Sequence, residues 1–183
     1  MSIASTLITA AQFGSMPDPG HPQELVRGVV VNRPPPKPRH GQVCGNIYLH
    51  VRLFADAHRL GHVVPNDSGV ITQRNPDTVR GMDVAFVGYD KVPPGPLPAS
   101  YFKTPPDAVF EVRSPSDRSP DVLSKVHEYL QLGVPVVYVF NPDTSRVHCY
   151  FQDRADEILN ATDEFVGIGP LANFRIPAAK FFE

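Results

Sequence analysis

Two short segments constrain the fold most: VRGMDVAFVG (79–88) and PPDAVFEVRSPSD (105–117). Each reads as an apolar strand with a carboxylate inside it, Asp83 in the first and Glu111 in the second. Side chains alternate along a strand. That pattern sets Asp83 with Ala85 and Val87, and Glu111 with Asp107, Val109 and Arg113. Val84, Phe86, Ala108, Phe110 and Val112 then point the other way into a core. A carboxylate between apolar neighbours is costly unless it is paired, neutralised or bound to a metal. Two of them on neighbouring strands, with a lysine shortly after, point to a metal site for phosphodiester chemistry. Read alone, the same pair also fits strand-end carboxylates held in ion pairs.

The 183 residues suit one domain spanning 1–183, with a core over about 20–152 and the N-terminal helix and C-terminal strands packed on it. A formal net charge of -2 excludes a global polycation, so nucleic acid would have to meet a local basic patch. Cys44 and Cys149 lack metal-type spacing, which favours reduced thiols. No apolar run reaches membrane-span length, and no basic start precedes an apolar segment at the N-terminus. Those features predict a cytoplasmic chain with no membrane partner.

The 21 prolines cluster at 17–22, 34–38 and 93–98 and punctuate the order of elements. A short helix is expected over 3–16, then a strand over 23–33 with a hairpin tip at Arg27-Gly28. PPPKPRH (34–40) predicts a stiff loop carrying Lys37, Arg39 and His40. The spacing of Val43, Ile47, Val51, Phe54 and Ala55 predicts a helix over 41–60, stopped by Gly61. Residues 61–74 read as two short strands around a turn at 66–69, and 88–106 as a loop long enough for a flap. Ser114-Pro115-Ser116-Asp117 leads toward a helix N-cap. A helix over 119–133 ends at Gly133, and 134–151 reads as a hairpin, followed by a small strand pair and an irregular tail.

Asp107 and Glu111 are four residues apart on one strand, roughly 13 Å at about 3.3 Å per residue. Magnesium needs ligands at about 2.0–2.1 Å, so Asp83, on an adjacent strand about 4.8 Å away, is the better partner for Glu111. Asp107 suits the start of its strand. Lys125 shares a line with Val122 and Tyr129 at the edge of the helix's apolar face, from where its stem can reach the end of the Glu111 strand. The alternative is a solvated helix lysine. Arg113 suits phosphate binding better than base work. Glu24 is a candidate third carboxylate.

The succession ELVRGVVV, a Pro-rich loop with RHG (39–41), MDVAFV (82–87), PPDAVFEVRSPSD, a lysine before EYLQLGVP (128–135), and VYVFNPDT (137–144) resembles the Uma family. That family is restriction-endonuclease-like, within the PD-(D/E)XK nuclease superfamily, and the resemblance covers roughly 20–152. It implies an α/β fold: a restriction-endonuclease-like core with a central mixed sheet flanked by helices. It also implies a Mg²⁺-dependent (or Mn²⁺-dependent) endonuclease hydrolysing phosphodiester bonds in DNA, and, by family habit, a homodimer. Carried over by position, Asp83 and Glu111 hold the metal, the Val112 carbonyl adds a ligand, and Glu24 is the upstream acid. Lys125 supplies the lysine usually found two residues after the glutamate, where Arg113 stands here. Met82 replaces the usual proline before the aspartate. Lys37, Arg39, His40 and Arg118 would form the nucleic-acid patch. The alternative is a catalytically inactive nuclease-fold module that binds DNA or protein, and a weaker one is a structural subunit acting through the 134–151 hairpin.

Overall fold

The apolar runs around Asp83 and Glu111 become adjacent antiparallel strands in the computed structural model, which describes residues 7–115 and 117–183. The chain order is α1 (Ala10–Gly14), β1 (Gln23–Val26), β2 (Val29–Asn32), α2 (Pro38–His58), β3 (Gly61–Gln73), β4 (Thr78–Gly88) and β5 (Ala108–Val112). Then follow α3 (Ser119–Leu132), β6 (Val136–Asn141), β7 (Arg146–Phe151), β8 (Glu157–Leu159), β9 (Glu164–Val166) and β10 (Arg175–Pro177). Eight strands form one mixed sheet, in the order β2-β1-β4-β5-β6-β7-β8 with β3 paired to β4. All its pairs are antiparallel except β5–β6. A parallel pair needs a long crossover, and α3 supplies it.

Helices cover both faces. Val43, Ile47, Val51 and Ala55 of α2 bury against Val84, Phe86, Ala108, Phe110 and Val112. Val126 and Tyr129 of α3 pack on the opposite face against Ala85, Val87, Val109, Val137 and Val139. The expected alternation therefore holds along β5 and from Val84 to Val87 of β4, and breaks at Met82 and Asp83. Met82, expected opposite Ala85, packs on the α3 side with it. Asp83 reaches across to the α2 side, where His40 lies. In the β3–β4 ladder Pro65 pairs with Val84 and Ser68 with Met82, so Asn66 and Asp67 together oppose Asp83. Such a bulge adds local twist and re-aims side chains.

Several boundaries differ from those expected. Pro38–His40 is not loop but the first turn of α2, with the proline where a missing N–H costs nothing. The left-handed residue that ends α2 is Arg59, at φ 53°, rather than Gly61. Gly61 instead opens β3, where a Cβ would meet the Val87 carbonyl oxygen at 2.3 Å. Residues 61–73 form one long strand, because the Asn66-Asp67 turn signal is a bulge within it. Both residues have positive φ, which Asn and Asp tolerate. The 88–106 loop is fastened near its end, where Ile71 N–H donates to Phe102 O and Phe102 N–H donates to Gly69 O, both at 2.9 Å. Arg118 is the N-cap of α3 and gives no side-chain cap. Ser116 lies outside the described residues, as does the 3–6 part of the expected first helix. Cys44 and Cys149 are free thiols, as expected. No described helix is long and apolar enough to cross a membrane.

The C-terminal segment is not an irregular tail. Phe165, Phe174, Phe181 and Phe182 close the core beside α2, and Phe181 is fully buried with its ring 5.1 Å from those of Phe140 and Phe165. Phe181→Ala should cost about 3–5 kcal/mol, read from the urea-unfolding midpoint and slope. A loss below about 1 kcal/mol would show that the C-terminal turn is an appendage rather than part of the core.

Candidate active site

The site forms where one edge of β4 is left without a strand neighbour. β3 covers the other edge along its length, while this edge meets β1 at Val79 and β5 only from Val84 onward. Arg80 to Asp83 span the gap. Buried backbone groups need partners, and here side chains supply them. Gly81 N–H donates to Glu24 Oε1 at 3.2 Å, and Tyr129 Oη lies 3.2 Å from Gly81 O. At the far side of the gap Val112 N–H donates to Asp83 Oδ2 at 2.7 Å, so a carboxylate continues the β4–β5 ladder that the backbone has ended.

The gap opens into a cleft of about 810 Å³ whose walls include Glu24, His40, Asp67, Asp83, Glu111, Val112, Arg113, Arg118 and Lys125. Lys125 does reach across from α3: its Nζ is 2.8 Å from Glu111 Oε2 and 3.5 Å from Glu24 Oε1. Tyr129, one helical turn further on, places Oη 2.9 Å from Glu111 Oε1. Asp83 Oδ1 has no protein partner among the described residues, and Asp83 lines the cleft.

Charge is divided unequally across the cleft. Glu24 is surrounded by cations: Arg33 Nε donates to its Oε2 at 2.9 Å and Arg80 at 3.0 Å. Burial would raise its carboxyl, but Lys125, Arg80 and Arg33 outweigh that and hold it at about 2. Glu24 therefore has both oxygens engaged and helps hold Lys125. Arg80 also grips Glu128 through two bonds of 2.6 and 2.7 Å, which ties β1, β4 and α3 together. At the acidic end, burial and then the Asp83 charge push Glu111 up to about 8 despite Lys125. Hydrogen-bond counting agrees with the direction. Tyr129 has one hydroxyl proton facing two acceptors, and a protonated Glu111 relieves that by donating to Tyr129 Oη. The same acidic neighbours keep Lys125 firmly protonated: burial works against its charge, and Glu111, Glu24 and Asp83 more than compensate.

Other residues stand differently from the sequence expectation. His40 leaves the surface patch and puts Nε2 3.3 Å from Asp83 Oδ2. Burial opposes its protonation, but the hydrogen bond and charge of Asp83, with Asp67 and Glu111 behind, raise its pKa. Lys37 is the N-cap residue of α2 and Arg39 binds Gln42, both exposed and outside the cleft wall, whereas His40 and Arg118 line it. Arg33, Arg113 and Arg118 instead supply the cleft's cationic rim. Arg113 is steadied by Asp117 O and Ser119 Oγ, each 3.3 Å away. Asp107 is held away by Lys91 at 2.8 Å and Gly88 N–H at 2.7 Å, as befits the start of its strand.

Sequence reasoning missed Asp67, Cys44, Tyr129 and Arg80. Asp67 stands on the rim, its carboxyl raised by partial enclosure and by Asp83. Tyr129 could have been found, since it lies four residues after Lys125 on the same helical face, whereas Cys44 joins the site only because α2 begins at Pro38 and brings His40 onto its face. Arg80 pairs only with residues distant in the chain and gives no local signal.

The donor set fits a hard cation. Mg²⁺ is bound through one or two carboxylates with several waters retained, and Asp83 with Glu111 meets that requirement. A carboxyl kept protonated by burial and by a neighbouring carboxylate marks where added positive charge would be welcome.

Glu111 also makes the metal-free fold sensitive to pH. Its folded value near 8 lies above its ordinary 4.5, so the folded state binds a proton that the unfolded chain has released. Stability should therefore fall as pH rises through that window. Glu24, whose depressed value acts only below 4.5, stays outside it. In chelator, Glu111→Gln should lose less stability than wild type between about pH 5 and about pH 8 in urea titrations. Parallel pH profiles for the two proteins would contradict a raised Glu111.

A model of the Uma2 family, described as "Putative restriction endonuclease", matches residues 10–178. Among solved structures the fold is similar to that of "a putative nuclease belonging to DUF820 from Anabaena variabilis ATCC 29413". That match has a TM-score of 0.82 at 17% identity and covers 96% of this chain and 97% of the other. No curated protein matches the chain.

Proposed function

The chain belongs to the Uma2 family, and on that premise we propose that it is a Mg²⁺-dependent DNA endonuclease that hydrolyses phosphodiester bonds in the β4-edge cleft. The observation that carries this reading is Lys125 Nζ at 2.8 Å from Glu111 Oε2, beside an Asp83 whose Oδ1 is free. Asp83 and Glu111 would hold the metal, and the Val112 backbone lies beside them in the cleft wall. Bound there, Mg²⁺ supplies Lewis acidity toward the phosphate and a more acidic water.

The remaining work falls to the chain's own groups. Lys125, kept protonated by its carboxylate neighbours, offers its ammonium to the attacking water or to charge developing on the phosphate. Glu24 positions that ammonium from the other side and is itself fixed by Arg33 and Arg80. Arg113 and Arg118 on the rim suit contact with neighbouring phosphates. Tyr129 orients the Glu111 carboxyl. Val112 N–H and His40 fix Asp83 through Oδ2, leaving the other oxygen as the ligand.

The test is nicking of supercoiled plasmid with Mg²⁺ or Mn²⁺. Asp83→Ala and Glu111→Ala should abolish cutting. Lys125→Met should slow it about 10²–10³-fold, the cost of removing one preorganised charge donor. All variants need circular-dichroism melts as folding controls. A Lys125→Met protein that cuts at the wild-type rate would remove the lysine from the mechanism. Pure wild type that neither cuts nor binds metal in calorimetry would favour an inactive binding module.

A further inference from the structure

α2 brings a second, chemically different set of ligands to the cleft. His40 and Cys44 are four residues apart, so one face of the helix presents both. Cys44 Sγ lies 3.4 Å from His40 Nδ1, and Asp83 Oδ2 lies 3.3 Å from His40 Nε2. One nitrogen of His40, the Cys44 sulfur and an Asp83 oxygen lie within 4.8 Å of one another. Among the described residues, no other three His, Cys, Asp or Glu side chains converge so closely, and Glu24, Asp83 and Glu111 do not.

We propose that His40, Cys44 and Asp83 form a site for a thiophilic divalent cation of the Zn²⁺ type, overlapping the magnesium position at Asp83. The donor set decides the class of metal. Imidazole and thiolate are zinc donors, whereas magnesium takes oxygen ligands and avoids sulfur. Zinc bonds of about 2.0–2.3 Å in tetrahedral geometry separate their ligands by about 3.3–3.8 Å. A single ion takes one His40 nitrogen, so only one of these contacts, 3.3 Å to Asp83 or 3.4 Å to Cys44, is a ligand edge, and the remaining pairs, within 4.8 Å, must close by up to about 1.5 Å. Side-chain torsions suffice, because both α2 residues are anchored on one helix and Asp83 ends its strand ladder beside them. Three protein ligands leave the fourth position to water.

The binding step balances simply. Cys44 gives its thiol proton to solvent, and the sulfur lone pair forms the bond to zinc. His40 binds as the neutral ring, releasing any second proton it carries. Two anionic ligands then match the charge of the ion. Partial burial of Cys44 among the α2 core residues keeps competing solvent away from the sulfur.

Asp83 serves both metals, so zinc held on the α2 side withdraws it from the magnesium position and inhibits cleavage competitively with Mg²⁺. This consequence rests on the nuclease reading; the binding itself does not. The full chain is titrated with Co²⁺ in chelator-free, thiol-free reducing buffer, beside Cys44→Ala and Cys44→Ser, and zinc then displaces the cobalt. Wild type should bind one Co²⁺ per chain with a thiolate-to-cobalt charge-transfer band in the near ultraviolet, absent from both variants. Zinc affinity should fall at least about a hundredfold in the variants, beyond what loss of an outer partner costs. Absence of the band in wild type, or equal zinc affinity in folded Cys44→Ala, overturns the site. In the nicking assay, zinc should inhibit wild type, excess magnesium should relieve it, and Cys44→Ala should cut normally and resist zinc. Equal inhibition of Cys44→Ala would overturn the overlap. Should the protein never nick DNA, the cobalt band still decides whether the site exists.

Discussion

The site depends on one acceptor replaced by another: Asp83 Oδ2 receives the Val112 N–H at the point where β4 and β5 stop pairing. A buried N–H left without a partner would cost about 1–3 kcal/mol, so the sheet can open here only because a side chain supplies the missing oxygen. The opening is what gives Asp83 a second oxygen facing the cleft instead of a strand. The same exchange recurs at Gly81, whose two backbone groups meet Glu24 and Tyr129 in place of β1 or β5. Structural satisfaction and exposure of chemistry are thus the same set of contacts. The residues that close the backbone's hydrogen bonds are those that would meet metal and phosphate.

A lysine on a helix can serve this site because its surroundings are fixed from several elements. Glu24 comes from β1, Arg80 from β4, and Glu128, Lys125 and Tyr129 from α3. Arg80 bridges Glu24 and Glu128 with both carboxylates largely shielded from water. Removing one partner of such a buried pair costs on the order of 3–5 kcal/mol, which gives the network a stiffness that a lone exposed lysine would lack. Lys125 then stands between two carboxylates of opposite disposition. Glu24 stays ionised because three cations face it, and Glu111 resists ionisation because burial and Asp83 oppose it. Only the second has charge capacity left for a metal ion.

Period-two patterning made the two central strands and their core faces legible, because a one-residue slip would exchange Phe86 and Phe110 with Ala85, Val87 and Val109 between the α2 and α3 layers. The helical run from Val43 to Ala55 and the glycine stop at Gly133 were legible for the same kind of reason. Lys125 could be placed because its helix face was readable and its stem is long. The His40 position could not. A proline-rich string reads as loop, and only its register against α2 shows that Pro38 starts the helix and turns His40 inward. Asn66-Asp67-Ser68-Gly69 carried a true signal for positive φ, yet composition does not distinguish a turn that ends a strand from a bulge that bends one. Long-range ion pairs such as Arg80–Glu24, 56 residues apart, leave no local trace.

That bulge has consequences beyond its own two residues. By setting Asn66 and Asp67 against Asp83, it lifts Asp67 to the cleft rim and twists β4 so that Met82 and Asp83 exchange the sides that alternation assigns them. Met82 thereby fills the core under α3, where a charged group would be costly. Asp83 gains access to α2 while its backbone stays next to Glu111. The irregularity in β3 is therefore what places one aspartate between a hard, oxygen-rich half of the cleft and a soft half made of imidazole and thiol. On the two proposals above, which cation occupied Asp83 would be set by competition between these two ligand sets.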